Sequence, residues 1–213
     1  MTTVLTPDVL LNAYASGVFP MSESRDDDTL FWLDPRQRGI FDLPKFHISH
    51  TLARKIRREP FEIRTNTAFS KVVENCADRP ETWINAPLRT LYQSLHVSGF
   101  AHALEVWEGP DLVGGVFGIA LGGAFFGESM FSHRTDASKI ALAYLVDHLW
   151  AGGYTLFDTQ FITPHLASLG AVEIPRAAYR SRLATALTRT ADFNFQDPVP
   201  TGYSILQRNS QIS

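Results

Sequence analysis

Phe125-Phe126-Gly127-Glu128-Ser129-Met130-Phe131-Ser132 is followed by the helix-like run 135–150 and then by Tyr154-Thr155-Leu156-Phe157-Asp158-Thr159-Gln160. The reading is strand, helix, strand. Apolar residues flank each polar group, Thr135-Asp136-Ala137-Ser138 opens the helix, and Gly152-Gly153 closes it. Glu128, Asp158 and Gln160 are therefore expected at strand ends, where open α/β sheets place their ligands. Carboxylates among so much phenylalanine are either hydrogen-bonded structure or a site, because Asp and Glu are almost never fully buried unless paired.

Upstream of this stretch, residues 101–107, 112–120 and 124–126 alternate around the turns Glu108-Gly109-Pro110-Asp111 and Leu121-Gly122-Gly123, the pattern of a three-stranded antiparallel meander. Downstream, 164–170 and 175–190 read as two helices, and the polar stretch from about 195 onward is expected to drape loosely. Nearer the start, Thr6-Pro7-Asp8 caps a helix that Gly17 stops, and 18–21 and 30–36 read as extended pieces around an acidic loop. Residues 47–58 and 68–76 are expected to be helical, 61–65 a strand, and 87–98 a helix with proline in its first turn. Helices, a meander and then α-β-α is the order of the α+β, GNAT-like acyltransferase fold. It predicts a mixed, mainly antiparallel sheet with flanking helices over 61–195, a small N-terminal α/β region over 1–60 and a tail over 196–213.

The 213 residues are 45% hydrophobic, enough for a sizeable core and too apolar for a disordered chain. Fifteen Phe and four Trp exceed what a plain scaffold needs and suggest a pocket for flat or apolar groups, with core filling the use of most of them. A net charge of −3 gives no global pull towards nucleic acid, so such binding has to come from a local patch. One patch is present: Arg54, Arg57 and Arg58 share a helix side opposite Leu52 and Ile56, which suits either a solvated surface or phosphate contacts. The one cysteine, Cys76, cannot form an internal disulfide and is expected as a buried filler. With no signal-peptide-like start, it points to a cytoplasmic protein. No run of 18 apolar residues occurs.

Several chemistries lack their residues. Gly127-Glu128-Ser129-Met130-Phe131 misses the second glycine of a nucleophile elbow, which argues against a serine hydrolase. The seven histidines include no H-E-x-x-H and there are no cysteine pairs, so no metal is expected. The pairs Gly114-Gly115 and Gly122-Gly123 lack the spacing of nucleotide-binding loops. Ser132-His133-Arg134-Thr135-Asp136-Ala137-Ser138-Lys139 does not match the basic glycine-rich turn that binds coenzyme A in acetyltransferases, so another acyl carrier is expected. A coenzyme A-dependent acyltransferase and a non-enzymatic RNA-binding module stand as the alternatives.

At this point the chain resembles the leucyl/phenylalanyl-tRNA–protein transferases. The resemblance runs in order from about 6 to 193. It rests on Ala13-Tyr14-Ala15-Ser16-Gly17-Val18-Phe19-Pro20, His47-Ile48-Ser49, Thr82-Trp83-Ile84, His102-Ala103-Leu104-Glu105-Val106-Trp107 and Leu112-Val113-Gly114-Gly115 in the first half. Phe126-Gly127-Glu128-Ser129-Met130-Phe131-Ser132, Ala137-Ser138-Lys139, Phe157-Asp158-Thr159-Gln160 and the run 165–176 carry it through the second.

The resemblance implies transfer of Leu or Phe, with Met a third candidate, from aminoacyl-tRNA to the N-terminal Lys or Arg of a protein, creating an N-degron for degradation. It implies no cofactor, since aminoacyl-tRNA is the co-substrate, no membrane partner and a monomer. Gln160 would bond the attacking amine or the carbonyl, Asp158 would polarise and orient it, and Glu128 would attract the cationic acceptor residue. The aminoacyl and adenosine pocket would draw on Met21, Trp83, Tyr92, Met130, Leu145, Leu149 and Phe157, and Arg54, Arg57 and Arg58 would meet tRNA phosphates. Two departures stand out. Met21 occupies a place where the family often has tryptophan, and the N-terminal extension common in relatives is short.

Overall fold

The computed structural model describes residues 5–58, 60–195 and 199–212. Helix α1 (Pro7–Ala15) starts as expected, with the Thr6 hydroxyl accepting from the Val9 N–H and proline in the first turn. Strands β1 (Phe19–Met21) and β2 (Phe31–Leu33) pair as a small antiparallel hairpin. Then come β3 (Gln37–Phe41), α2 (His50–Arg57), β4 (Glu62–Thr65), α3 (Phe69–Ala77) and α4 (Ala86–Val97). The meander β5 (Ala101–Glu108), β6 (Asp111–Leu121) and β7 (Ala124–Ser132) is present. It leads into α5 (Ala137–Ala151), β8 (Leu156–Gln160), the short α6 (Pro164–Ser168), β9 (Ala171–Pro175), α7 (Arg176–Leu187) and α8 (Gly202–Ile212).

Among the described residues, seven strands form one sheet in the order β4-β5-β6-β7-β8-β3-β9. Every pairing is antiparallel except β7 with β8, whose crossover is α5. The fold is thus α+β with a mostly antiparallel sheet. Because successive side chains of a strand face opposite ways, the sheet carries a core on each side. Val116, Phe125 and Phe41 join α2, α5 and α8 on one face. Phe117, Phe126 and Ile40 join α1, α3, α4 and α7 on the other. The core therefore has two faces with the sheet as the middle layer.

Three outcomes differ from the sequence reading. Two strands, β3 and β9, were not expected, and β3 lies between β8 and β9, so the sheet takes strands from both sides of residue 60. Of the tail, 196–198 and 213 lie outside the described residues. The rest is not loose: α8 packs on α2 and α5, Ile205 is buried, and Arg208 forms a bidentate pair with Asp147 at 2.6 Å. Packing outweighs its weak intrinsic helix signal.

The parallel contact that sets the site is short. β8 pairs with β7 only from Ala124↔Leu156 to Phe126↔Asp158, after which β7 continues on β6 and β8 on β3. The two strands part, and the gap between them opens a cavity.

Candidate active site

Both strands bulge where they part. On β7 the register shifts between Phe117↔Ser129 and Gly118↔Gly127, which leaves Glu128 opposite no residue of β6. On β8 it shifts between Ile40↔Asp158 and Gly39↔Gln160, and Gln160 takes a left-handed φ of 63°. Glu128 is therefore in the middle of β7 and Asp158 in the middle of β8, not at strand ends; only Gln160 ends its strand. Gly127 is needed beside them, because a Cβ there would lie 2.8 Å from the Phe157 ring.

The cavity holds about 540 Å³. Val116, Met130, Leu142, Phe157 and Leu166 give it an apolar side. Met21, Trp83 and Phe161 add flat or soft walls, and Asp78, Arg79, Glu128, His133, Gln160 and His165 supply polar groups. His165 has its Nε2 buried there with no protein partner among the described residues, a group free to bond a substrate.

Glu128 is 8% exposed and receives three hydrogen bonds: Tyr14 Oη to Oε1 at 2.7 Å, Gln160 Nε2 to Oε1 at 2.9 Å and Tyr92 Oη to Oε2 at 2.8 Å. Burial pushes its carboxyl up to about 7, against the pull of the two tyrosine hydroxyls. Burial, followed by the Glu128 charge, holds both phenols well above their ordinary value, so they remain donors.

One consequence is measurable in stability. The folded protein keeps the Glu128 proton up to about 7, whereas an ordinary glutamate releases it at 4.5. The contribution is full below the lower value, declines as the pH rises between the two, and is lost above the upper one. Glu128→Gln removes that titration. Urea midpoints across this range are expected to show the variant gaining on the wild type as pH rises, and parallel curves would refute the assignment.

Asp158 lies deeper. It is fully buried, takes the Arg38 guanidinium in a bidentate pair (Nε to Oδ1 at 2.9 Å, Nη2 to Oδ2 at 2.7 Å) and accepts from Tyr179 Oη at 2.7 Å. Its Oδ1 also accepts the Gln160 backbone N–H at 2.8 Å. Asp158 does not line the cavity; it fixes the backbone whose side chain does. Burial works against the Arg38 charge, but the bonds and charge of Asp158 more than offset it, and the Arg38 pKa is raised.

The remaining expected residues divide. Met21, Trp83, Met130 and Phe157 line the cavity. Tyr92 does not: it is wholly buried, and its hydroxyl serves Glu128. Leu145 and Leu149 are also wholly buried, in the core behind the wall, and Leu142 takes the lining place one turn earlier. Arg54, Arg57 and Arg58 are exposed on α2, with Leu52 and Ile56 buried beneath. Lys55 of the same helix reaches Asp136 at 3.6 Å, which places α2 against the α5 end that carries Ser138 of the cavity wall. Cys76 is buried as expected, and burial pushes its thiol up to about 12. Among the described residues no three His, Cys, Asp or Glu groups converge as a metal site would require.

Arg38 and Tyr179 carry no mark in the sequence reading, and Tyr14 enters it only within the motif 13–20, without a role at the site. Tyr14 sits in a helix whose apolar face was legible, so a polar use of its hydroxyl was signalled only by tyrosine's need for a partner when buried.

Comparison with known proteins adds the rest. Residues 40–184 match the profile described as leucyl/phenylalanyl-tRNA protein transferase, and residues 4–36 that of its N-terminal domain. The leucyl/phenylalanyl-tRNA–protein transferase of Ruegeria sp. (strain TM1040) is 61% identical over 98% of this chain and 99% of its own. That of Cereibacter sphaeroides (strain ATCC 17029 / ATH 2.4.9) is 60% identical over 98% of each. Among solved structures, FemX aligns over 73% of this chain and 60% of its own at 11% identity, with a TM-score of 0.46.

Proposed function

Because the chain belongs to the leucyl/phenylalanyl-tRNA protein transferase family, we propose that its cavity is where an aminoacyl-tRNA ester meets a protein N-terminus. The protein is an aminoacyltransferase that moves Leu or Phe from tRNA to an N-terminal Lys or Arg, marking the acceptor for degradation. No described helix is long and apolar enough to cross a membrane. The cavity between parting strands agrees with a GNAT-like acyltransferase arrangement, and the reading takes one copy of the chain, in the cytoplasm, with the tRNA ester as its only activated group.

The observation that carries the reading is the composition of one cavity: an apolar side of Val116, Met130, Leu142 and Phe157 faces a polar pair, Glu128 and Gln160. A Leu or Phe side chain suits the first, and methionine, similar in volume but more flexible, would enter less selectively. Trp83 and Met21 offer the terminal adenosine a flat face and a soft one. The amine attacks the ester carbonyl, the carbon–nitrogen bond forms, the ribose oxygen leaves, and the amine's proton ends on that oxygen. No enzyme nucleophile is required. What the protein supplies is alignment and a donor or acceptor held in place. Gln160 gives one N–H to Glu128, which leaves its carbonyl and second N–H for the amine and the developing oxyanion. Asp158 acts on Gln160 through its backbone.

The test is direct. Purified protein is incubated with labelled Leu-tRNA and a peptide beginning with Arg, beside one beginning with Ala. Label in the Arg peptide alone supports the reading; label in neither would reject it.

The α2 arginines make a second prediction. Three exposed cations that meet phosphates release counterions, so Arg54→Ala/Arg57→Ala/Arg58→Ala should flatten the dependence of log affinity on log salt by about 2–3 units. KM for Leu-tRNA should rise while kcat at saturation holds. An unchanged salt slope would remove α2 from the tRNA interface.

A further inference from the structure

An acceptor N-terminal Lys or Arg brings a positive side chain to the cavity, and two carboxylates border it, Glu128 and Asp78. They differ in what they have left to give. A carboxylate offers about four acceptor positions, and Glu128 has three hydrogen bonds on them from Tyr14, Tyr92 and Gln160. It is also nearly buried, so a guanidinium's two parallel N–H groups find no matching pair of free oxygens there. Asp78 is exposed, and among the described residues neither of its oxygens has a hydrogen bond or ion pair.

The backbone that presents Asp78 is fixed from both sides. Asp78 is the residue at which α3 ends. Arg25 Nη2 donates to the carbonyls on either side of it, Ala77 at 2.9 Å and Arg79 at 2.8 Å. The Arg79 guanidinium crosses to β7, where it bonds the Met130 carbonyl and, at 3.3 Å, the Ser129 hydroxyl. Both guanidiniums are hydrogen-bonded to backbone and hydroxyl oxygens, and neither lies within ion-pair distance of Asp78. A free carboxylate on a rigid bracket, facing the same cavity as Gln160, has the properties of a preorganised cation receptor.

Resting on the transferase reading, we propose that Asp78 is a specificity-determining residue that binds the positive side chain of the acceptor's N-terminal residue, while Glu128 holds Gln160 and the two tyrosines. The acceptor's α-amine then lies towards Gln160, and its side chain reaches out along the cavity to Asp78. Arg and Lys both satisfy such a site, Arg through a bidentate pair and Lys as a point charge.

The experiment compares two peptides that differ only in their first residue, Arg or its neutral isostere citrulline, with Leu-tRNA as donor, in wild type, Asp78→Asn and Asp78→Glu. Wild type is expected to favour Arg. Loss of one charge-assisted contact should lower kcat/KM of Asp78→Asn for the Arg peptide by roughly tenfold or more. The citrulline peptide should be nearly unaffected, so the preference collapses, mostly through KM. Asp78→Glu should restore part of it. An Arg-to-citrulline ratio unchanged in Asp78→Asn, or an equal fall for both peptides, overturns the proposal. Transfer by wild type to neither peptide would overturn the transferase reading and this role with it.

Discussion

Arg38→Ala is expected to cost about 3–5 kcal/mol of folding stability, the range for stripping one partner from a buried ion pair. Arg38 is 1% exposed and Asp158 not at all. The guanidinium lies 4.4 Å from the Phe19 ring centre and 4.5 Å from that of Tyr179, and gives a further bond to the Gly17 carbonyl at 3.0 Å. Truncation leaves Asp158 charged in the core with only Tyr179 and the Gln160 N–H, and opens a void between two rings. Domains of ordinary stability hold about 5–15 kcal/mol in all, so the variant approaches the threshold of folding. Urea unfolding would measure it. The pair Arg38→Met/Asp158→Leu should recover much of the stability, since apolar groups of like volume can replace a buried ion pair. It should not recover transfer, because Gln160 would have lost the acceptor for its backbone N–H. A single variant Arg38→Ala with wild-type unfolding would show that the pair contributes little.

That pair was also the part of the molecule least legible in the sequence. The meander, α5 and β8 could be read because their signals are local: alternation, turn glycines and a capped helix. Strand β3 begins with Gln37 and Arg38 behind a proline-broken segment, and its meaning depends on Asp158, 120 residues later. No local pattern announces a charge whose partner is that far along the chain. The same holds for Tyr92, which the resemblance puts in the aminoacyl and adenosine pocket, whereas its hydroxyl is turned to Glu128. On α5 the difficulty is of another kind. Buried residues run unbroken from Ile140 to Val146, so the helix has no polar stripe to fix its rotation, and Leu145 and Leu149 could not be told from Leu142. Asp158 and Gln160 were legible as polar residues in an apolar strand, although only Gln160 ends it. Their division of labour, one holding the backbone and the other facing the cavity, follows from bulge geometry that alternation does not encode.

Gln160→Ala should lower kcat by roughly 10²-fold or more with donor and acceptor both saturating, the effect of removing one positioned polar group from a developing charge. The amide is held at two points: its backbone N–H by Asp158 at 2.8 Å and its side-chain N–H by Glu128 at 2.9 Å. The left-handed backbone at Gln160 is uncommon for a residue with a Cβ, and such strain persists only where the surroundings impose it. Here the bulge opposite Gly39 and the bond to Asp158 impose it. The remaining amide groups are thus fixed before substrate arrives, which is what gives a hydrogen bond its worth in the transition state. Stability should change little beside this, by about 0.5–1.5 kcal/mol for one hydrogen bond, because Glu128 keeps both tyrosines. Gln160→Glu separates the amide's role from its volume: a second carboxyl within hydrogen-bond reach of Glu128 forces the two to share a proton, so turnover should fall and its pH profile should move upward. Both variants turning over at the wild-type rate, while Asp158→Ala alone fails, would shift the chemistry from the Gln160 side chain to the backbone it carries.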